Sequence, residues 1–119
     1  MDELDPVFDC VAAYFSVLSE PTRLRIMHAI CETEKPVSQI VAETGATQTN
    51  ASRHLGLMYR AGVLARRKDG SQVYYRMAHP TMIDLFRTVC NRIAGSMDEK
   101  KPLRHELLRL MPAPKKRRA

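Results

Sequence analysis

At Gly62 the apolar residues of this chain stop recurring every three to four positions and a β-rich run starts, so that a helix is expected to end there and a hairpin to begin. Upstream, Thr47 offers a hydroxyl to cap a helix that runs to about Ala61. Leu55, Met58 and Tyr59 form its apolar stripe, which Ala51 extends one turn back. Gly62 is the left-handed residue that ends such a helix. Downstream, the β-rich runs Val63 to Arg67 and Gln72 to Met77 flank Asp69-Gly70, a dipeptide suited to a tight hairpin turn.

The other face of this helix, near its start, carries Gln48, Thr49, Asn50, Ser52, Arg53 and His54. These donor-rich side chains have little packing reason to cluster, and they suit base edges and phosphates. On or beside the hairpin, Arg66, Arg67, Lys68 and Arg76 place positive charge where it can straddle a phosphate backbone. The plainer alternative is a solvated hairpin with ordinary surface charge. Charge distribution favours the first reading. The net charge is +6, yet the first twenty residues hold five acids and no base, whereas residues 46–79 hold six bases against Asp69 alone. A second basic cluster, Lys115 to Arg118, ends the chain and reads as a disordered, solvated tail.

With 119 residues, one modest core is expected, helped by oligomerisation. A first helix from about Asp5 to Leu18 carries Val7, Val11, Tyr14, Phe15 and Leu18 at helical spacing, with Phe8 and Ala12 beside them. That face is wider than one small core needs and invites a partner chain. Ser19-Glu20-Pro21 opens a second helix, capped by the serine hydroxyl, that runs to about Cys31 and buries Leu24, Met27 and Ile30. Glu32 to Pro36 reads as a polar turn, Val37 to Thr44 as a short helix with Ile40 and Val41 apolar, and Gly45 as a tight turn. A short helix, a glycine turn and a polar-faced helix make a helix-turn-helix. His79-Pro80 opens a long last helix, apolar at Met82, Ile83, Leu85, Phe86, Val89, Cys90 and Ile93 and ending near Gly95. Residues 1–97 are thus expected to form a DNA-binding and dimerisation domain, and 98–119 a charged extension in which Leu103, Leu107, Leu108 and Leu110 can make a short helix.

No apolar run reaches the roughly 18 residues a membrane span needs, and the first residues are acidic rather than basic with a hydrophobic stretch behind them; a cytoplasmic protein is expected. Cys10, Cys31 and Cys90, odd in number and widely spaced, do not make a secreted disulfide framework. A cysteine hydrolase pairing Cys31 or Cys90 with His28 or His79 is disfavoured, because no nucleophile motif or glycine-rich loop accompanies them. A protein-interaction module using the same scaffold is the remaining alternative.

SEPTRLRIM at the start of the second helix, ASRHL in the polar-faced helix and AGVLARRKDGSQVYYRM across the hairpin closely resemble the ArsR/SmtB family of bacterial repressors over roughly residues 7–93. The resemblance implies a mainly α fold with a small β-hairpin wing, a winged helix-turn-helix dimerised through its first and last helices. It implies a homodimer that binds an inverted-repeat operator in double-stranded DNA and leaves it when an inducer is sensed. Carried over by position, the DNA-reading residues are Gln48, Thr49, Ser52, Arg53 and His54, with Arg67, Lys68 and Tyr75 in or near the wing. His54 can instead be a packed residue at the helix base, and either Tyr74 or Tyr75 must face inward because strand neighbours alternate.

The family's metal sites are not matched. Val37-Ser38-Gln39 stands where metal-sensing relatives carry Cys-x-Cys, and His79, Thr81, Arg92 and Gly95 stand at the positions of the second common site. One ligand does not hold zinc, so no metal site is expected there. Cys31 and Cys90 resemble the dithiol of relatives that sense persulfides or oxidants, although both lie about one helical turn from the usual positions and His28 takes the place of the usual cysteine. Bridging them requires Cα atoms within about 7 Å. Cys10 with Cys31 and Cys90 offers a three-thiolate alternative for As(III) or Sb(III) as inducer. All three cysteines as buried apolar residues is the third possibility.

Overall fold

Pro6 and Pro21 each sit in the first turn of a helix, where a missing N–H costs nothing, and they set the starts of the first two helices. The computed structural model describes residues 3–110. Among these, α1 (Asp5–Ser16) runs through a 3-10 turn, Val17–Ser19, into α2 (Pro21–Ile30); β1 (Lys35–Pro36), α3 (Val37–Thr44), α4 (Gln48–Arg60), β2 (Leu64–Asp69) and β3 (Gln72–Met77) follow, then α5 (Thr81–Gly95) and α6 (Pro102–Leu110). The chain divides into two compact units, one up to Pro80 and one from Thr81. The basic cluster Lys115 to Arg118 lies outside the described residues.

In the first unit, α2 is capped by Glu20 rather than Ser19. The Glu20 carboxylate accepts the Arg23 backbone N–H at 3.0 Å, while the Ser19 hydroxyl donates back to the Ser16 carbonyl at 2.6 Å. The buried side of α2 is Ile26, Met27 and Ile30, with Leu24 only half-buried, so Met27 and Ile30 face the core as expected and Ile26 takes the place expected of Leu24. Helix α3 matches its expected bounds, and Gly45 closes it by donating its N–H to the Val41 carbonyl at 3.1 Å. Thr47 caps α4 as its hydroxyl predicts, accepting the Asn50 N–H at 3.1 Å.

The end of α4 is a Schellman turn. Val63 donates to the Met58 carbonyl and Gly62 to that of Tyr59, both at 3.0 Å, and Gly62 has φ +79°, which only glycine takes without strain. Met58 and Val63, the apolar pair of this motif, are both buried. From there β2 and β3 pair antiparallel from Leu64↔Met77 to Asp69↔Gln72, which makes Gly70-Ser71 the two-residue turn rather than Asp69-Gly70. Gly70 has positive φ and Ser71 does not, the pattern of a type II′ turn.

Two details depart from expectation. The segment read as a polar turn contains β1, which adds to β3 through Lys35↔Tyr75 and Pro36↔Tyr74 and makes a three-stranded sheet, order β1-β3-β2. Two residues, one of them proline, carry no alternation from which a strand can be read. Tyr59 leaves the α4 stripe: Ala51, Leu55 and Met58 are wholly buried, but Tyr59 is 38% exposed and lies beneath Arg66, whose guanidinium carbon is 3.9 Å from the ring centre.

None of the twelve residues of α1 is buried, and Val7, Phe8, Val11 and Phe15 are all about half exposed or more; Val17, just past the helix, is the wholly buried one. In the second unit α5 and α6 pack together; α5 keeps Met82, Ile83, Phe86, Cys90 and Ala94 buried and leaves Val89 and Ile93 exposed. Because Leu55 is fully buried on α4, Leu55→Ala should destabilise the protein by about 2–5 kcal/mol in urea unfolding.

Candidate nucleic-acid interface

The buried stripe of α4 determines what its other side presents. With Ala51, Leu55 and Met58 inward, Gln48, Thr49, Ser52 and Arg53 are exposed on the first turn and a half. Asn50 is half-buried, and its side-chain oxygen accepts from Arg53 Nη2 at 2.7 Å, which holds the guanidinium along the helix. Hydroxyl, amide and guanidinium donors thus share one solvent-facing surface on the element best shaped to enter a major groove.

His54 does not belong to that surface. It is 3% exposed, with Nδ1 3.3 Å from Arg23 Nη1, and Nε2 3.4 Å from Arg53 Nη2 and 3.7 Å from a Glu20 carboxylate oxygen. Two guanidiniums face the ring, so the neutral tautomer that suits the site accepts from Arg23 at Nδ1 and turns Nε2–H towards Glu20. Arg23 also donates to the Val17 carbonyl at 3.2 Å and the Ser16 carbonyl at 2.8 Å, which ties the end of α1 to the recognition helix α4. Burial is the main force holding the imidazole below its usual pKa; Glu20 opposes this, while Arg53 and Arg23 add to it. Burial alone would raise the Glu20 carboxyl, but the Arg23 backbone N–H and the nearby His54 outweigh it and leave it lowered.

Pairing sorts the hairpin into two faces. Leu64, Arg66 and Lys68 alternate onto the face of Val73, Tyr75 and Met77, where Leu64 and Tyr75 are buried. Tyr75, expected near DNA, is 6% exposed and is the inward member of the tyrosine pair. Its neighbour Arg66 is held over Tyr59 of α4, so this cation also locks the wing to the helix. Arg67 alternates onto the opposite face with Tyr74 and Arg76. Its guanidinium lies 4.4 Å from the Tyr74 ring centre and is gripped by Glu34, with Nε 2.9 and 3.0 Å from the two carboxylate oxygens. Lys68 and Arg76 are exposed and make no hydrogen bond or ion pair with the described residues.

The thiols differ in setting. Cys10 is exposed on α1; Cys31 is half-buried just after α2, its Sγ–H donating to the His28 carbonyl at 3.2 Å; Cys90 is buried in α5, and burial pushes its pKa up. Among the described residues no three His, Cys, Asp or Glu side chains gather to hold a metal ion. No described helix is long and apolar enough to cross a membrane.

This geometry has known counterparts. The family model of bacterial regulatory proteins of the arsR family matches residues 20–66, from the cap of α2 into β2. The cadmium resistance transcriptional regulatory protein CadC of Listeria innocua is 33% identical over 82 residues, covering 68% of this chain and 69% of that protein. The chain belongs to the ArsR family. The crystal structure of Mycobacterium tuberculosis Rv0081 superposes with a TM-score of 0.69 at 32% identity, covering 76% of this chain and 95% of that one. The homodimeric winged helix-turn-helix DNA-binding domain of Mycobacterium bovis Mb0332, described as a possible ArsR-family regulator, superposes with a TM-score of 0.73 at 27% identity, covering 85% and 94%. The expected fold is therefore present: a mainly α winged helix-turn-helix of an ArsR-family transcriptional regulator, with α3 and α4 as the helix-turn-helix and β2–β3 as the wing.

Sequence reasoning missed Glu20, Arg23 and Glu34, which act on the expected residues from elsewhere in the chain. The signal for the first pair was the N-capping position of Glu20; Glu34 left none.

The lowered pKa of His54 fixes a sign. The unfolded chain takes up the proton first, so stability should fall as pH drops below the ordinary histidine value near 6.5, with Glu20 adding a further loss below about 4.5. His54→Gln, which stays uncharged, should flatten the fall in Tm between about pH 6.5 and 5.

Proposed function

We propose that this ArsR-family protein is a repressor that binds an inverted-repeat operator as a homodimer and is released by an inducer that reacts with cysteine thiols. The observation that carries the DNA reading is the exposed face of α4, Gln48, Thr49, Ser52 and Arg53, beside a wing whose Lys68 and Arg76 are exposed and unpaired. Base-edge readout falls to the helix and phosphate contacts to Arg53, Lys68 and Arg76. A pure interaction module has no use for exposed cations on both elements.

A second copy of the chain is the proposed cover for α1. Val7, Phe8, Val11 and Phe15 form an apolar stripe that stands about half exposed, and Val89 and Ile93 of α5 add a second exposed apolar pair. The homodimeric state of Mb0332 supports this assignment. Dimerisation places two recognition helices at a fixed spacing, which is what an inverted repeat requires.

For the inducer, Cys31 is the thiol proposed to react first, with sulfane sulfur or an oxidant, and Cys90 the thiol proposed to resolve it. Cys31 is the more accessible of the two, and the burial that pushes the Cys90 thiol up disfavours Cys90 as the first to react. The absence of the family's usual Cys-x-Cys at Val37-Ser38-Gln39 supports a thiol rather than a metal signal.

Three results are expected. Purified protein should shift a duplex carrying an inverted repeat from its own promoter, with log K falling against log salt at a slope of about −5 to −7, as six to eight phosphates per dimer require. Binding that ignores salt, or none to any promoter fragment, would overturn the reading; Arg53→Ala should weaken binding by roughly tenfold or more. Val11→Asp on α1 should convert the dimer to monomer in sedimentation and abolish the shift while leaving the helical circular dichroism intact. Polysulfide or peroxide should release wild-type protein but not a Cys31→Ser, Cys90→Ser double variant, with intact mass reporting the modified thiols; release of the double variant would refute the thiol assignment.

A further inference from the structure

We propose that Glu34 is a built-in anion that competes with the DNA backbone for Arg67, and thereby sets how strongly the wing engages a duplex. The inference rests on the DNA-binding reading above and names a residue that tunes it.

Arg67 is one of the wing residues that the family resemblance places at DNA, yet its nitrogens are already occupied. Nε and Nη2 make a side-on, two-point contact with the Glu34 carboxylate, and Nη1 lies 3.7 Å from an Asp69 carboxylate oxygen. The Tyr74 ring covers one flat face of the guanidinium. The fork that a phosphate would use is therefore filled by a carboxylate, which has the same charge sign and a similar two-oxygen edge. Arg76, on the same sheet face, also acts on Glu34: the carboxyl is held below its usual range mainly by its hydrogen bonds to Arg67, with the charges of Arg67 and Arg76 adding to this against partial burial.

The fold places this anion deliberately in register. Lys35 and Pro36 add to β3 opposite Tyr75 and Tyr74, and Arg67 lies opposite Tyr74 on the other side of the same strand. Glu34 is the residue just before β1, so this two-residue strand brings the carboxylate to the outer face of the wing. The contact can open. Both side chains are solvent-accessible, Arg67 at 51% and Glu34 at 31%, and a surface ion pair of this kind is weak enough for a phosphate to displace. A duplex that opens it gives up the ion pair in exchange for the phosphate contact, so Glu34 lowers what Arg67 can contribute to binding any duplex.

Glu34→Gln tests this, because it removes the charge and keeps the shape. The variant should bind a random duplex roughly two- to fivefold tighter than wild type, with a gain for the operator at least as large. Its salt slope should steepen by about 0.9 for each Arg67 released, or about 2 per dimer. In an Arg67→Ala background the same substitution should lose most of its gain, leaving only what its charge near Arg76 contributes. A Glu34→Gln protein of unchanged Tm that binds more weakly, that keeps the wild-type affinity and slope, or whose full gain survives in Arg67→Ala would overturn the proposal. Failure of wild-type protein to shift any duplex is a separate result, since it sinks the DNA-binding reading itself, whereas failure of the Glu34 proposal leaves wild-type binding intact.

Discussion

Ala51, Leu55 and Met58 are wholly buried, and what the recognition helix can do follows from that constraint. A helix of thirteen residues that commits one stripe to the core has no freedom to rotate, so Gln48, Thr49, Ser52 and Arg53 are presented to solvent by the same packing that stabilises the fold. Both ends of the helix reinforce this. The Thr47 hydroxyl fixes its start, and the two backbone bonds around Gly62 fix its end and aim the chain directly into β2. Wing and recognition helix are thus held in one relation, with Arg66 over Tyr59 as a further tie.

A second constraint is polar. His54 sits on the buried side of α4, in contact with Arg23 from α2 and near Glu20, while Arg23 grips the last carbonyls of α1 and the turn that follows. One guanidinium therefore joins the helix with the exposed apolar stripe to the helix with the exposed polar face. A change in how α1 is held, by a partner chain or otherwise, has a short path to α4 through hydrogen bonds rather than through loose packing. The path depends on His54 staying neutral, since a charged imidazole would face Arg23 and Arg53 with only Glu20 to offset them.

How far this was legible in the sequence depends on the range of the forces involved. Local chemistry read correctly: the Thr47 cap, the bounds of α3, the stop at Gly62 and the hairpin all come from spacings of a few residues. Directions read less well. Tyr59 and Leu24 have the right spacing for their helix stripes, yet Tyr59 turns out under a cation and Leu24 is only half-buried, because stripe width is decided by what lies opposite. The inward tyrosine was known to be one of two, and pairing with Arg66 rather than any local signal makes it Tyr75. His54 was open between surface and base for the same reason. Glu34, 33 residues from Arg67, and Arg23, 31 from His54, are beyond any local pattern.

Those two distant partners change the meaning of the charge count. Six bases in residues 46–79 suggest six phosphate contacts, but position decides which cations are available. Arg66 is held over an aromatic ring and Arg67 by a carboxylate, whereas Lys68 and Arg76 remain open and Arg53 is aligned along α4 by Asn50. A wing with every cation open would bind any duplex, because counterion release rewards phosphate contact regardless of sequence. A wing with some of its cations engaged by its own sheet leaves more of the free energy of binding to the helix, where base edges are read. On the proposed DNA reading, the acid just before β1 lowers what Arg67 can give to any phosphate, operator or not.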